Sequence, residues 1–237
     1  MNKNQIKPIV VSKKELEDVL LKIKEANPIP SPRIKFKPNT IILLHGFNSG
    51  PGNKEKVIAQ YLAENNLQAD FKLIAPQLDG EPRAAIRQIN QLIRQHKTGK
   101  MHIIGTSLGG FYANYFRAAY KEENLTVHVI NSSWNPSKSL LRAVNQEQEN
   151  YKSKEKWFFK ESYIEQLSGF ENFITENLKK YRGKNYTIHL AESDELLSFD
   201  DFLSYIEKYQ VPNKFYNYDT NHRFEKMEEF LENIFCN

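Results

Sequence analysis

The sequence predicts an α/β fold, a mainly parallel sheet flanked by helices, and three observations predict it. Short apolar strand candidates begin near residues 41, 71, 101 and 126, a pitch of about thirty residues. Helical patterns with apolar residues three and four apart lie between them, such as Val57, Ile58, Tyr61 and Leu62, then Ile86, Ile89 and Ile93. Finally, Gly105-Thr106-Ser107-Leu108-Gly109 stands where a strand gives way to a helix. Alternation at this pitch implies right-handed crossovers and a sheet covered on both faces.

Composition sets the bounds. A chain of 237 residues, 40% hydrophobic, can bury one sizeable core, and a second full domain is not expected. The single cysteine, Cys236, provides neither a disulfide framework nor a thiolate metal site. Met1 to Val11 carries Lys3 and Lys7 but no apolar run of signal-peptide length, and no stretch is long and apolar enough to span a membrane. The expectation is a soluble, cytoplasmic protein. Its net charge of +4 comes from the leading segment: residues 1–40 hold nine Lys/Arg against four Asp/Glu, whereas 41–237 hold 24 against 25. A near-neutral body argues against a nucleic-acid partner. The letters leave the oligomeric state open.

Taken in order, residues 12–26 read as an amphipathic helix, with Ser12 and Glu15 as a capping box and Leu16, Val19, Leu20 and Ile23 on one stripe. Asn27 to Pro32 blocks helix and reads as an extended connector, after which Arg33 to Lys37 admits a short strand. Residues 1–38 thus form an N-terminal extension and 39–237 the main domain. Within it, strands are expected at 41–45, 71–75, 101–104, 126–130, 185–191 and 213–217. A closing helix at 224–235 turns Phe224, Met227, Phe230, Leu231 and Ile234 inward. Between the fourth and fifth core strands, residues 133–182 break the beat, rich in Lys and Glu yet holding Trp134, Trp157, Phe158, Phe159 and Tyr163. This reads as a helical insertion, either a cap over a pocket at the strand ends or an excursion packed into the core.

The chemistry centres on Ser107. A serine on so sharp a turn needs small neighbours two positions away, which Gly105 and Gly109 provide, and the helix that follows aims unpaired N–H groups at any oxygen turning negative beside it. Such a serine needs a base, and the base needs an acid to orient it. Of six histidines, His102, His128 and His189 fall inside predicted strands, His96 at a helix end and His45 at the head of the first loop. His222 differs, standing on a polar loop after the last strand, and is the expected base. For the acid the choice is Asp194, in the loop after the strand ending at Ala191, with Glu192, Glu195 and Asp200 as rivals. The oxyanion donors expected are the backbone N–H of Leu108 and that of Phe47 in the glycine-rich loop His45 to Gly52.

Four separated motifs carry a resemblance. Leu43-Leu44-His45-Gly46-Phe47-Asn48-Ser49, the elbow Gly105 to Ala113, Ser193-Asp194-Glu195-Leu196-Leu197, and Asn221-His222-Arg223-Phe224 together are similar to the YqiA-like esterases, a compact branch of the α/β-hydrolase fold. The likeness spans about 41–237, and Ser193 and Thr220 stand where that branch usually has glycine. It implies Ser107, Asp194 and His222 as a triad, the same three reached from the residues. The expected function is cleavage of small-molecule carboxylic esters of small to medium acyl chain, with no cofactor and no metal. A thioesterase or small-peptide hydrolase using the same triad, and a non-catalytic binding module on the same fold, are the alternatives.

Overall fold

The structure is a computed structural model that describes residues 38–96 and 99–235. The helix expected at 12–26, the connector, the strand at 33–37 and Cys236 lie outside the described residues. The strands are β1 (Asn39–Leu44), β2 (Phe71–Ile74), β3 (Met101–Thr106), β4 (Leu125–Ile130), β5 (Gln146–Glu149), β6 (Lys156–Phe159), β7 (Tyr186–Ser193) and β8 (Lys214–Asn221). The helices are α1 (Asn53–Glu64), α2 (Pro82–His96), α3 (Leu108–Ala119), α4 (Pro136–Ser139), α5 (Glu161–Leu178), α6 (Asp200–Lys208) and α7 (Met227–Phe235).

Six strands form one sheet in the order β2-β1-β3-β4-β7-β8, every adjacent pair parallel. Alternation along each strand divides the core. Ile42, Leu44, Ile103, Val127, Val129 and Ile188 face α2, α3, α5 and α6, while Ile41, Leu43, Ile104 and Ile130 face α1 and α7. Both faces are apolar, as a doubly covered parallel sheet requires. The chain leaves β1 toward one face and β3 toward the other. These adjacent strands therefore open a crevice at their carboxyl ends, where ligands settle in open α/β sheets.

The segment 133–182 has two parts. Helix α5 is a covering layer of the sheet: Leu167, Ile174 and Leu178 are fully buried, and Tyr115 of α3 packs against Phe170 and Phe173 at 5.2 and 4.8 Å between ring centroids. The antiparallel hairpin β5–β6 instead sends Trp157 and Phe159 against Phe47, each 5.7 Å between centroids. The closing helix begins at Met227 rather than at 224. A turn closed by Phe224 N–H donating to Asn221 O at 3.0 Å holds Phe224 at φ 54°, outside helical geometry, although its ring is still buried.

Candidate active site

The strained serine is where the spacing puts it. Ser107 links β3 to α3 at φ 54°, ψ −118°, and is half-buried. The strain persists because the surroundings over-determine it: Ser107 N–H donates to Ile130 O at 3.0 Å, and Ser107 O accepts from Ser133 N–H at 3.1 Å. Space explains the flanking glycines. A Cβ on Gly105 would come within 2.2 Å of Gly109 O, and one on Gly109 within 2.3 Å of Leu44 O. Any larger residue at either position would force α3 off the sheet.

Asp194 and His222 meet. The ring Nδ1 of His222 donates to Asp194 Oδ2 at 2.7 Å, and the two side chains are 15% and 2% exposed. That bond leaves Nε2 as the ring's acceptor. A bulge between Ala191 and Ser193 shifts the β7–β8 register just before its last pair, Ser193 with Asn221, and the loop holding Asp194 begins directly after it. Burial works to raise the Asp194 carboxyl, but the bonds from His222 and from the N–H groups of Leu196 and Leu197, both 2.9 Å, outweigh it and hold the group below its ordinary value. Of the rivals, Glu195 accepts from His222 backbone N–H at 3.1 Å, not from the ring. Glu192 is exposed, and Asp200 starts α6 beside Ser198.

The first loop is braced from behind. His45 Nδ1 donates to Gly46 O at 2.8 Å and His45 Nε2 accepts from Leu78 N–H at 2.9 Å, which sets the tautomer and ties the loop after β1 to the loop after β2. Gly46 lies close to the elbow, since a Cβ there would sit 3.1 Å from Ser107 Cβ. Among the described residues, the N–H groups of Phe47 and Leu108 have no hydrogen-bond acceptor, and neither does the Ser107 hydroxyl have a partner.

Asn131 is the residue whose role the sequence did not disclose. It follows β4 at φ 44° and is 1% exposed. Its Oδ1 accepts from Ala191 N–H at 2.7 Å, and its Nδ2 donates to Asn221 O at 3.4 Å and His222 O at 3.3 Å. One side chain thus fastens the ends of β7 and β8, next to Asp194 and His222, to the strand that anchors Ser107. An asparagine directly after an apolar strand was the available signal, because asparagine tolerates the left-handed region.

The three strand histidines go elsewhere. His102 Nδ1 and His128 Nε2 are 3.0 Å apart, His128 Nδ1 and Thr187 Oγ1 2.7 Å, Thr187 Oγ1 and His189 Nε2 2.7 Å, and His189 Nδ1 and Tyr218 Oη 2.8 Å. The row crosses the sheet face beneath α7, where Phe230 packs on His128 and His189. Burial lowers His102 to about 4, with Lys100 adding, and His189 to about 3. His128 is held well below its ordinary value by burial and by both neighbouring rings.

Beside the elbow lies a cavity of about 610 Å³ whose wall includes Phe47, Leu108, Tyr112, Trp157 and Tyr163. A second depression of about 500 Å³, between α1 and α7, contains none of the expected site residues.

A model of the uncharacterised protein family UPF0227 matches residues 40–236. The chain belongs to this family. The YqiA-like resemblance read from the four motifs agrees with that membership. UPF0227 proteins of Pectobacterium atrosepticum and Pectobacterium carotovorum are each 35% identical over 75 residues, covering 31% of this chain and only 41% of each relative. Solved structures resemble this UPF0227 chain over more of its length. A metagenome-derived lipolytic enzyme matches with TM-score 0.63 at 14% identity, covering 84% of this chain and 93% of its own. Est1E from Butyrivibrio proteoclasticus gives 0.63 at 15%, covering 86% and 88%. A monoacylglycerol lipase from Paleococcus ferrophilus gives 0.59 at 13%, covering 82% and 91%. At such identities the likeness concerns the fold, and this UPF0227 chain has the α/β-hydrolase fold.

Proposed function

We propose that this chain is a serine hydrolase of carboxylic esters with small to medium acyl chains, carried by residues 39–237, with 1–38 as an extension. The family match beginning at residue 40 supports that division. The observation that carries the activity is the 2.7 Å Asp194–His222 pair, tied by Asn131 to the strand end that also holds the strained Ser107. His222, oriented by Asp194, takes the Ser107 proton through Nε2, and Ser107 Oγ attacks the ester carbonyl. The unpaired N–H groups of Phe47 and Leu108 bind the tetrahedral oxyanion, with α3's dipole behind Leu108. His222 then protonates the leaving alcohol, and water, activated by the same ring, releases the acid. The Ser107–His222 contact closes when substrate binds, as is common for catalytic hydrogen bonds that are long in the free enzyme. The imidazole and the two backbone N–H groups hold the Asp194 carboxyl below its ordinary value against the effect of burial, which suits it to steady an imidazolium.

Fluorophosphonate labelling tests this reading. The expected result is covalent modification of the wild type at Ser107 and none of Ser107→Ala. A properly folded wild type that takes no label and cleaves no p-nitrophenyl ester would leave a binding module on a hydrolase fold.

A further inference from the structure

The cavity beside the elbow has a chemical character that the triad alone does not specify. Its lip between β2 and α2 is Asp79-Gly80-Glu81, and the hairpin side contributes Glu155 and Lys160. Three acidic residues and one lysine therefore line the cavity, with Asp79 Oδ1 accepting from Glu81 N–H at 2.8 Å and Glu81 Oε1 from Gln166 Nε2 at 3.4 Å. Trp157 lies directly over Gly80, where an added Cβ would come within 2.8 Å of the indole. Its ring is fixed by Nε1 donating to Asn48 Oδ1 at 3.0 Å. An aromatic face thus stands between two acidic residues.

Tyr112 supplies a second, independent sign of a ligand. The residue is 2% exposed and lines the cavity, yet its hydroxyl makes no hydrogen bond among the described residues. Among the described residues Arg117 Nε is the one fully enclosed side-chain polar atom without a partner, so the Tyr112 hydroxyl is open to the cavity and free to bond what enters it. Burial, reinforced by Asp79, pushes the Tyr112 phenol well above its ordinary value, and burial with Glu81 and Asp79 raises Tyr163. Both stay neutral, with the Tyr112 hydroxyl and the half-buried Tyr163 ring available to a cation. The structure holds one example already: Lys160 Nζ sits 6.0 Å from the Tyr163 ring centroid.

We propose that this cavity takes an ammonium group of the substrate, so that the preferred esters carry a quaternary or primary ammonium in the alcohol or the acid. This rests on the hydrolase reading. Aromatic faces next to carboxylates attract such cations through ring quadrupole and charge together. A phosphate or free carboxylate would meet three like charges with a single lysine to offset them. A plain alkyl chain would leave the Tyr112 hydroxyl unsatisfied.

The test uses isosteric pairs on the full chain, with each rate divided by that of hydroxide hydrolysis. For the alcohol, butyrylcholine is compared with 3,3-dimethylbutyl butyrate; for the acid, the p-nitrophenyl esters of 4-(trimethylammonio)butanoate and 5,5-dimethylhexanoate are compared. The expected result is that kcat/KM favours the cation in one pair by about tenfold, and the pair that responds says which half of the ester enters. The preference should fall toward unity in Asp79→Asn/Glu81→Gln and as salt rises. Neutral esters cleaved as fast as cationic ones in both pairs, or a preference indifferent to the double variant, would overturn the proposal. If no ester is cleaved and Ser107 takes no fluorophosphonate, the hydrolase reading itself fails and this inference falls with it.

Discussion

Histidines occupy two contrasting regions of this molecule. At the carboxyl edge, His222 is half-buried and directed by one carboxylate, with the second ring nitrogen uncommitted. Under α7, His102, His128 and His189 are bonded in series, packed beneath Phe230, and kept neutral by burial. In the proposed reaction the imidazole of His222 is a reagent, whereas those under α7 are mortar. What differs is the surroundings: a carboxylate bonded to an accessible ring, against an apolar layer that keeps the buried rings neutral.

The sharpest way to break this comparison is to delete one ring from each region. Ser107→Ala or His222→Ala should lower kcat for a p-nitrophenyl ester by about 10⁴-fold or more while leaving thermal stability nearly unchanged. His128→Ala should do the reverse, costing about 2–4 kcal/mol through a cavity and orphaned hydrogen-bond partners, seen as a melting point lowered by about 5–15 °C. Activity at 20 °C should be kept. If His128→Ala also abolished turnover in the folded protein, the two regions would not be separate.

Asp194→Asn follows in size. It preserves shape but lets the amide stabilise the wrong tautomer, and a fall in kcat of about 10³–10⁴ is expected. Asn131→Ala should cost less, about 10–100-fold in kcat with KM little changed, because it loosens the base loop without touching the reacting atoms. Recovery with Asn131→Asp is not expected: a carboxylate can accept from Ala191 N–H, but it has no donor for His222 O.

Acid sharpens the contrast further. The folded-state values of the buried rings lie below the ordinary 6.5, so the unfolded chain binds protons that the folded one refuses. Their neutral pairing stabilises the fold fully above pH 6.5. It is lost progressively as pH falls toward about 4 and 3, at up to about 1.4 kcal/mol per pH unit for each ring. The charged and titratable groups nearest the row, Lys100 and Tyr218, do not offset this. Denaturant midpoints measured from pH 7 to pH 4 should drop steeply in the wild type and less steeply in His189→Gln.

Much of this was legible because its causes are local in sequence. The six core strands announce themselves by apolar runs, and the elbow by glycines whose spacing answers a backbone collision at Gly105 and Gly109. His222 and Asp194 could be paired because each sits on a polar loop just past a strand. The hairpin β5–β6 could not be read. Gln-Glu-Gln-Glu against Lys-Trp-Phe-Phe shows no clean alternation, and its place is secured by Trp157 and Phe159 packing on Phe47, over a hundred residues away in sequence. Asn131 was visible as a letter but not as a clasp, since its partners Ala191 and His222 are set by the strand order. The late start of α7 came from the turn at Phe224, which apolar periodicity ignores.

The order of the strands along the chain has a consequence for synthesis. Ser107 and the groups of Ile130 and Ser133 that hold it are translated by residue 133, whereas Asp194 and His222 stand just past β7 and β8, which are translated last and lie at the far side of the sheet. On the proposed hydrolase reading, a nascent chain stalled before residue 222 therefore carries the serine without its base and can do no work. Turnover in a cell-free translation would mark the moment the final strand docks. A polypeptide cut in the 179–185 connection would fall silent until its two pieces found each other again.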